Sequence, residues 1–547
     1  MRIIALFIAS IALSMSGCRT KGPAVPIEQV RPEAIRAHMK FLADDLLEGR
    51  YPGTRGHELA AKYVAAQFEA AGLEPAGDGG TYFQQVPLLA MYPPEREVAI
   101  IQDGHTDRLR ADYDFGSVAI PSAADSSVRA AVVFGNYCVS SPEMKYEDFA
   151  SIDVRGKILA CLDGAPPSFP ATERAYHAGL RKLEQASEHG AVGFIDLFVG
   201  PMAQGVPFHE MAEQFRIGPD FRWVDAKGQP SDSFPQLRGN VIIEGKAAER
   251  LFKGAPKTLA QALADAEAGK GRGFPLNAEV QIHTKSAPYK VVKSPNVVGL
   301  LRGSGPEAKN EYVVYTSHLD HLGTGPAVDG DTVFNGAMDN AAGGAALIEI
   351  ARVLRNARPA PRRSILLVGT TEEDPGYVGL VGADYFAHNP TVPRDQLVAE
   401  INIDGLALFG DHRDAVAYGA EHSSMIEQIR QAAAAVDLEL TPDPWPEQVM
   451  FIRADEYPFV RQGIPSVWLS GGFKLRDPKR DGLKAAQEWM LKVYHRRKDD
   501  MNQPFQFEGA AREVKFQALA GYLIADAENR PTWNPGDFFG KTFARAK

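Results

Sequence analysis

Five apolar runs in the second half of the chain, at 296–301, 312–316, 364–369, 398–403 and 464–469, are short, continuous and rich in Val, Ile and Leu. Such runs predict strands buried on both faces. Between and after them the apolar period lengthens to that of a helix, over about 341–356, 422–436, 481–494 and 508–528. In the first of these, Leu347, Ile350, Ala351 and Leu354 share one face. Strands alternating with helices predict an α/β fold, a mixed, mostly parallel sheet covered by helices on both faces. Near the N-terminus, Ala60, Val64, Phe68 and Ala71 line one side of a further helix over 57–71, and Gly72 supplies its stop.

From about 95 to 290 the texture differs. Short β-rich runs (VRAAVVFG, GKILACL, AVGFIDLF) stand between Pro- and Gly-rich loops, with one helix near 174–189. This reads as a separate β-rich unit inserted into the α/β domain, which is also what 547 residues require, since a single core rarely grows so large. The expected division is 28–95 and 290–535 for the α/β domain, 96–289 for the insert, and 536–547 as a C-terminal tail.

The first residues are an address and not a fold element. Arg2 precedes an apolar stretch from Ile3 to Leu13, too short to span a bilayer, and Met15-Ser16-Gly17-Cys18 follows. Small residues directly before a cysteine resemble the bacterial lipoprotein cleavage box. That resemblance implies a signal peptide over 1–18, a lipid on Cys18 as the only membrane contact, and a tether over 19–27. The alternative is a plain secretory signal. Arg19 after the cysteine favours the outer membrane, so the expected location is periplasm-facing.

Composition removes other classes. A 45% apolar and 23% charged chain is an ordinary globular protein, and a net charge of −10 without basic runs argues against nucleic acid. Only Cys138 and Cys161 remain after processing, which export allows to pair. Two cysteines are too few for a thiolate zinc site. The sequence sets no oligomeric state.

The chemistry sits where the apolar strands end. EYVVYTS runs into His318-Leu-Asp320, RRSILLVGTT into Glu372-Glu373, and VAEINI into Asp404. Open α/β sheets bind ligands at the carboxyl ends of their strands. Asp339, in the small-residue loop NGAMDNAAGG, opens the helix at 341 on the same edge. Each residue alone has an ordinary structural reading as a cap, a turn residue or a core histidine. Together, several carboxylates in one crevice repel each other unless cations neutralise them. His with Asp and Glu, without Cys, suits zinc at a hydrolytic centre.

SHLDHLG, NGAMDNAAGG, TEED, INIDG, DEYPFVRQGIPSVWLSGG and YHRRKDD occur in this order, preceded by DDLLEGRYPGTRGHELAAKYVAAQFEAAGLEP. In that order they resemble the co-catalytic two-zinc exopeptidases, which include bacterial leucyl-type aminopeptidases and glutamate carboxypeptidases. The resemblance implies two Zn2+ per chain and a peptide substrate. It implies His318 and Asp404 as ligands of one zinc, Glu373 and His495 as ligands of the other, and Asp339 bridging both. Asp320 then orients His318, Glu372 is the general base, and Tyr494 hydrogen-bonds the developing oxyanion. SVRAAVVFGNYCV, YEDFASIDVRGKILACL and EHGAVGFIDLF resemble a protease-associated domain, and the resemblance implies that the insert is one. Met338, Glu456 and about four extra residues within 374–378 depart from the family pattern beside the expected cleft. Aminopeptidase activity is the leading expectation. A glutamate carboxypeptidase-like dipeptidase and a non-catalytic, receptor-like binding protein of the same fold are the alternatives.

Overall fold

The computed structural model describes residues 25–543 apart from 93–94, 200–206, 215, 217, 375–378 and 449. The lipoprotein-type segment and Cys18 lie outside the described residues.

The larger of two main sheets has ten strands. Its centre is four parallel strands in the spatial order Ser364–Thr370, Tyr312–His318, Leu397–Asn402 and Ser466–Gly471. Antiparallel strands extend it on either side: Lys290–Leu301 and Phe83–Met91 at one edge, Asp414–Tyr418 at the other. Every residue of Tyr312–His318 and Ser364–Thr370 is buried, as their continuous apolar sequence requires. Side chains alternate between two cores. Val313 and Tyr315 pack with the helices Pro32–Leu42, Arg55–Ala71, Ala342–Arg355 and Phe507–Asp526, while Val314 packs with Val381–His388 and Glu456–Arg461. The fold is thus the mixed α/β layer structure expected.

Close helix–strand approach depends on small residues. A Cβ on Gly521 would lie 1.7 Å from the Tyr315 hydroxyl, which donates to the Gln517 carbonyl at 2.7 Å. Twelve of the fourteen residues of Ala342–Arg355 are buried, so this helix runs through the core with no solvent face.

The second sheet has eight strands drawn from Glu95 to Lys285. Cys138 and Cys161 form a disulfide in it, with their Cα atoms 5.6 Å apart. The helix expected over 174–189 is two helices, Ala171–Ala178 and Arg181–Glu188. They are separated at Gly179, whose ψ of −137° leaves the helical region. One strand of the 96–289 span, Asp220–Trp223, joins the larger sheet by pairing with Phe83–Met91. It is anchored there by the Trp223 indole, which donates to Asp384 at 2.6 Å. The C-terminal segment also packs: Phe538–Phe543 is helical, and Phe539 is fully buried.

Candidate metal centre

His318 is the last residue of its strand and is buried. Its Nε2 lies 3.2 Å from Asp404 Oδ1 and 3.4 Å from Asp339 Oδ1. Asp404 follows the neighbouring strand, and Asp339 sits in the loop before Ala342–Arg355. Asn340 ties these segments together. Its side-chain oxygen accepts from Gly343 N at 2.7 Å and Gly405 N at 2.8 Å, and its amide donates to the Ile403 carbonyl and Ser317 hydroxyl.

A second group shares Asp339. His495 Nε2 is 3.2 Å from Asp339 Oδ2 and 3.0 Å from Asp374 Oδ1. The other oxygen of Asp374 takes a 2.6 Å hydrogen bond from Nδ1 of His321, which is wholly buried. Four residues after His495, Asp499 accepts from Met338 N and Asp339 N at 2.9 and 3.0 Å, so one turn of chain positions both partners. From beneath, the buried Arg50 donates to the carbonyls of Leu319, Asn335 and Gly336 and so clamps the two loops that carry His318 and Asp339. The structure therefore brings His318, Asp339, Asp404 and His495 together.

The acidic run TEED is placed one residue away from its expected register. Glu373 and Asp374 line the cleft, and it is Asp374 that faces His495. Glu373 lies on the other side, its Oε2 3.9 Å from His318 Nε2. Glu372, expected as the base, is completely buried, and neither of its carboxylate oxygens has a hydrogen-bond partner. It does not line the cleft, and its charged neighbours include Asp220 and Arg222 of the insert's returning strand. The physical reason is local. Glu372 has φ +57°, in the left-handed region, which breaks the alternation of the preceding strand and turns the next two carboxylates toward the metal side. Asp320 also differs from expectation: it stands 4.0 Å from His318 Nδ1, beyond hydrogen-bond range, and accepts instead from Glu373 N.

Charges in this centre are unbalanced. Burial disfavours ionised Asp374, yet the rings of His318, His321 and His495 hold its carboxyl well below the usual range. Burial would lower the His318 imidazole, but Asp374, Glu373 and the bonds to Asp339 and Asp404 push it well up. His495 is likewise raised to about 9, chiefly by Asp374 and Asp339 against the opposing effect of burial. Histidines gathering protons among buried carboxylates mark a place built for cations, which displace those protons on binding. Buried His318 Nδ1 also lacks a hydrogen-bond partner. The overlapping sets His318–Asp339–Asp404 and His321–Asp339–Asp374 each place three ligand atoms within 4.8 Å of one another. An oxygen- and nitrogen-only set of this kind fits zinc.

Beside the centre opens an apolar cleft whose lining includes Tyr418, Trp445, Trp468, Phe473 and Trp489. Tyr494 lines it too, its ring stacked on His495 at 3.8 Å between centroids. A cluster of His and carboxylate groups with metal-ligand spacing at the carboxyl ends of sheet strands, opening into an apolar cleft, is the arrangement of a metallohydrolase.

Residues 296–514, the stretch that holds the whole cluster, match the model of Peptidase family M28. The match covers less than half of the chain and makes this stretch similar to the metallopeptidases of that family. The chain is 29% identical over 136 residues to the aminopeptidase NAALADL1 of Mus musculus, a match covering 24% of this chain and 16% of the mouse protein's length. Its fold is similar to that of an aminopeptidase from Aneurinibacillus sp. strain AM-1, with a TM-score of 0.52, 17% identity, and coverage of 93% of this chain and 99% of the other. The zinc aminopeptidase BSAP of Bacillus subtilis aligns at 16% identity and a TM-score of 0.46, covering 91% and 96% of the two chains.

Proposed function

We propose that the chain is an aminopeptidase that binds two zinc ions, one at His318, Asp339 and Asp404, the other at Asp339, Asp374 and His495. One observation carries this reading. The two oxygens of Asp339 face different histidines, Oδ1 toward His318 at 3.4 Å and Oδ2 toward His495 at 3.2 Å, as a bridging carboxylate must. When bound, zinc supplies Lewis-acid polarisation of the scissile carbonyl and lowers the pKa of water. Glu373 is the carboxylate positioned in the cleft to take a proton from the attacking water. As the carbon–nitrogen bond breaks, it returns that proton to the leaving amine. The Tyr494 hydroxyl, which burial holds well above its ordinary pKa and therefore neutral, donates to the oxyanion. His321 and Asp499 position the ligands, and Asp320 fixes the backbone at Glu373.

The sequence supports two further parts of the reading: a lipid anchor on Cys18 that holds an exported protein at the periplasmic side of the outer membrane, and a protease-associated identity for the second sheet. A Cys18→Ala variant found in the soluble fraction, against membrane-bound wild type, tests the anchor. For the activity, purified protein is assayed for zinc by mass spectrometry and for hydrolysis of aminoacyl-p-nitroanilides beside N-acylated dipeptides ending in glutamate. Zinc near two per chain with cleavage of the anilides is expected. Cleavage of the blocked dipeptides alone makes the enzyme a carboxypeptidase, and a metal-free, inert protein makes it a binding protein.

A further inference from the structure

We infer that Arg453 is a specificity residue that reads a carboxylate on the substrate; the inference rests on the peptidase reading above. Among the described residues lining the cleft, Arg453 alone carries a positive charge. It shares that cleft with the rings of Tyr418, Trp445, Trp468, Phe473 and Trp489. Its guanidinium makes one long contact, 4.0 Å from Nη1 to the Met450 sulfur, and no ion pair with any described carboxylate. Arg461, by contrast, pairs with Asp232 at 3.2 Å and Arg363 with Glu311 at 2.7 Å.

A partly desolvated guanidinium without a paired counter-charge is costly unless a ligand supplies the anion. The acidic residues that line the cleft, Asp339, Glu373, Asp374 and Asp404, are those assigned above to the metal centre and its base. The arginine is also held in place. Two residues before it, Phe451 is buried between the His422 and Phe539 rings, at 5.7 and 5.5 Å, while Ile452 meets the insert at Gly179. A planar five-donor group carried on a segment anchored in this way suits bidentate recognition of a carboxylate. The surrounding rings suit an apolar body carrying that carboxylate. The ligand chemistry is therefore a peptide whose carboxylate reaches past the metals. It comes either from an acidic side chain on the released residue or from the free C-terminus of a dipeptide.

Two matched pairs of substrates separate the sources: Glu- against Gln-p-nitroanilide, and Leu-Phe against Leu-Phe-amide. For zinc-loaded wild type, kcat/KM is expected to favour the carboxylate member of one pair by about tenfold or more. Arg453→Met should bring that ratio to near unity and leave the other pair's ratio where it was, and Arg453→Lys should restore part of it. The pair that responds names the source. Equal rates within both pairs, or a preference that survives Arg453→Met, overturn the inference while the peptidase reading stands. Failure to cleave any of the four overturns that reading and this inference with it.

Discussion

His495 Nε2 stands 3.0 Å from Asp374 Oδ1, against 3.2 Å from Asp339 Oδ2, and Asp374 is itself held by His321 on its second oxygen. In the two-zinc reading proposed above, this pair would make Asp374 the terminal carboxylate of the second metal position. Asp374→Asn is therefore expected to lower zinc content from about two ions per chain to about one, since a neutral amide is a poor ligand. His321→Phe, which removes the orienting hydrogen bond, is expected to weaken the same site by roughly 10–100-fold. Metal analysis after dialysis against graded chelator checks both. Full zinc retention in Asp374→Asn would return the ligand role to Glu373.

A matched pair of amide substitutions tests the base. Glu373→Gln should retain zinc and lose kcat by roughly 10²–10⁴-fold. Glu372→Gln should retain zinc and stay within about threefold of wild type, because this buried carboxylate does not reach the cleft. The reverse result would place Glu372 at the reacting water and Glu373 among the ligands.

His318, Asp339, Asp404 and His495 were legible because strand ends and a helix start fix where those side chains emerge, whatever the details of the intervening loops. The acidic run after Thr370 was not, because strand alternation stops there and the next direction depends on one dihedral, φ +57° at Glu372. No local pattern announces that turn in a run of three carboxylates. Arg50, 268 positions before His318, contributes through contacts that only the folded chain creates. Asp499 is an intermediate case: it lies in the YHRRKDD motif that marks His495, yet its bonds to Met338 N and Asp339 N need the tertiary fold. In the fold, the period-3.6 patterns located the long core helices to within a few residues. The 174–189 segment shows the limit, since its apolar face continues across Gly179 although its backbone does not.

The Cys138–Cys161 disulfide closes a loop with a sequence separation of 23, and both sulfurs are buried in the second sheet. Cross-linking a loop of that length stabilises by about 3 kcal/mol through the unfolded chain. The Cys138→Ala/Cys161→Ala variant should therefore lose protection from hydrogen exchange in the paired strands Ile158–Leu162 and Gly193–Phe198 by roughly two orders of magnitude. Protection in Tyr312–His318 of the other sheet should stay as in wild type. Equal protection of all three strands in variant and wild type would show that the cross-link adds nothing to the folded insert.

His422 joins three distant segments: its Nδ1 is 2.5 Å from Asp537 Oδ2 near the C-terminus, and its Nε2 is 3.0 Å from the Thr172 hydroxyl on the insert's Ala171–Ala178 helix. Burial acts to lower its pKa, but the bond to Asp537 and the charges of Glu421, Asp537 and Glu173 raise it above the ordinary value of 6.5. Burial of Asp537 is likewise outweighed by His422, and its carboxyl is lowered. The signs give a window. A raised histidine contributes stability below its unfolded pKa and loses it as pH climbs through the folded one; a lowered carboxyl contributes above its unfolded pKa and loses it on acidification. Docking of the insert helix should thus be firmest in mildly acidic solution and weaken from about pH 7 upward, by roughly 1–3 kcal/mol for a charged hydrogen bond. Hydrogen exchange of Ala171–Ala178 and Phe538–Phe543 between pH 6 and 9, corrected for intrinsic rates, measures it. In His422→Gln both helices should exchange faster at pH 6 and lose the pH dependence; an unchanged dependence would assign it to another group.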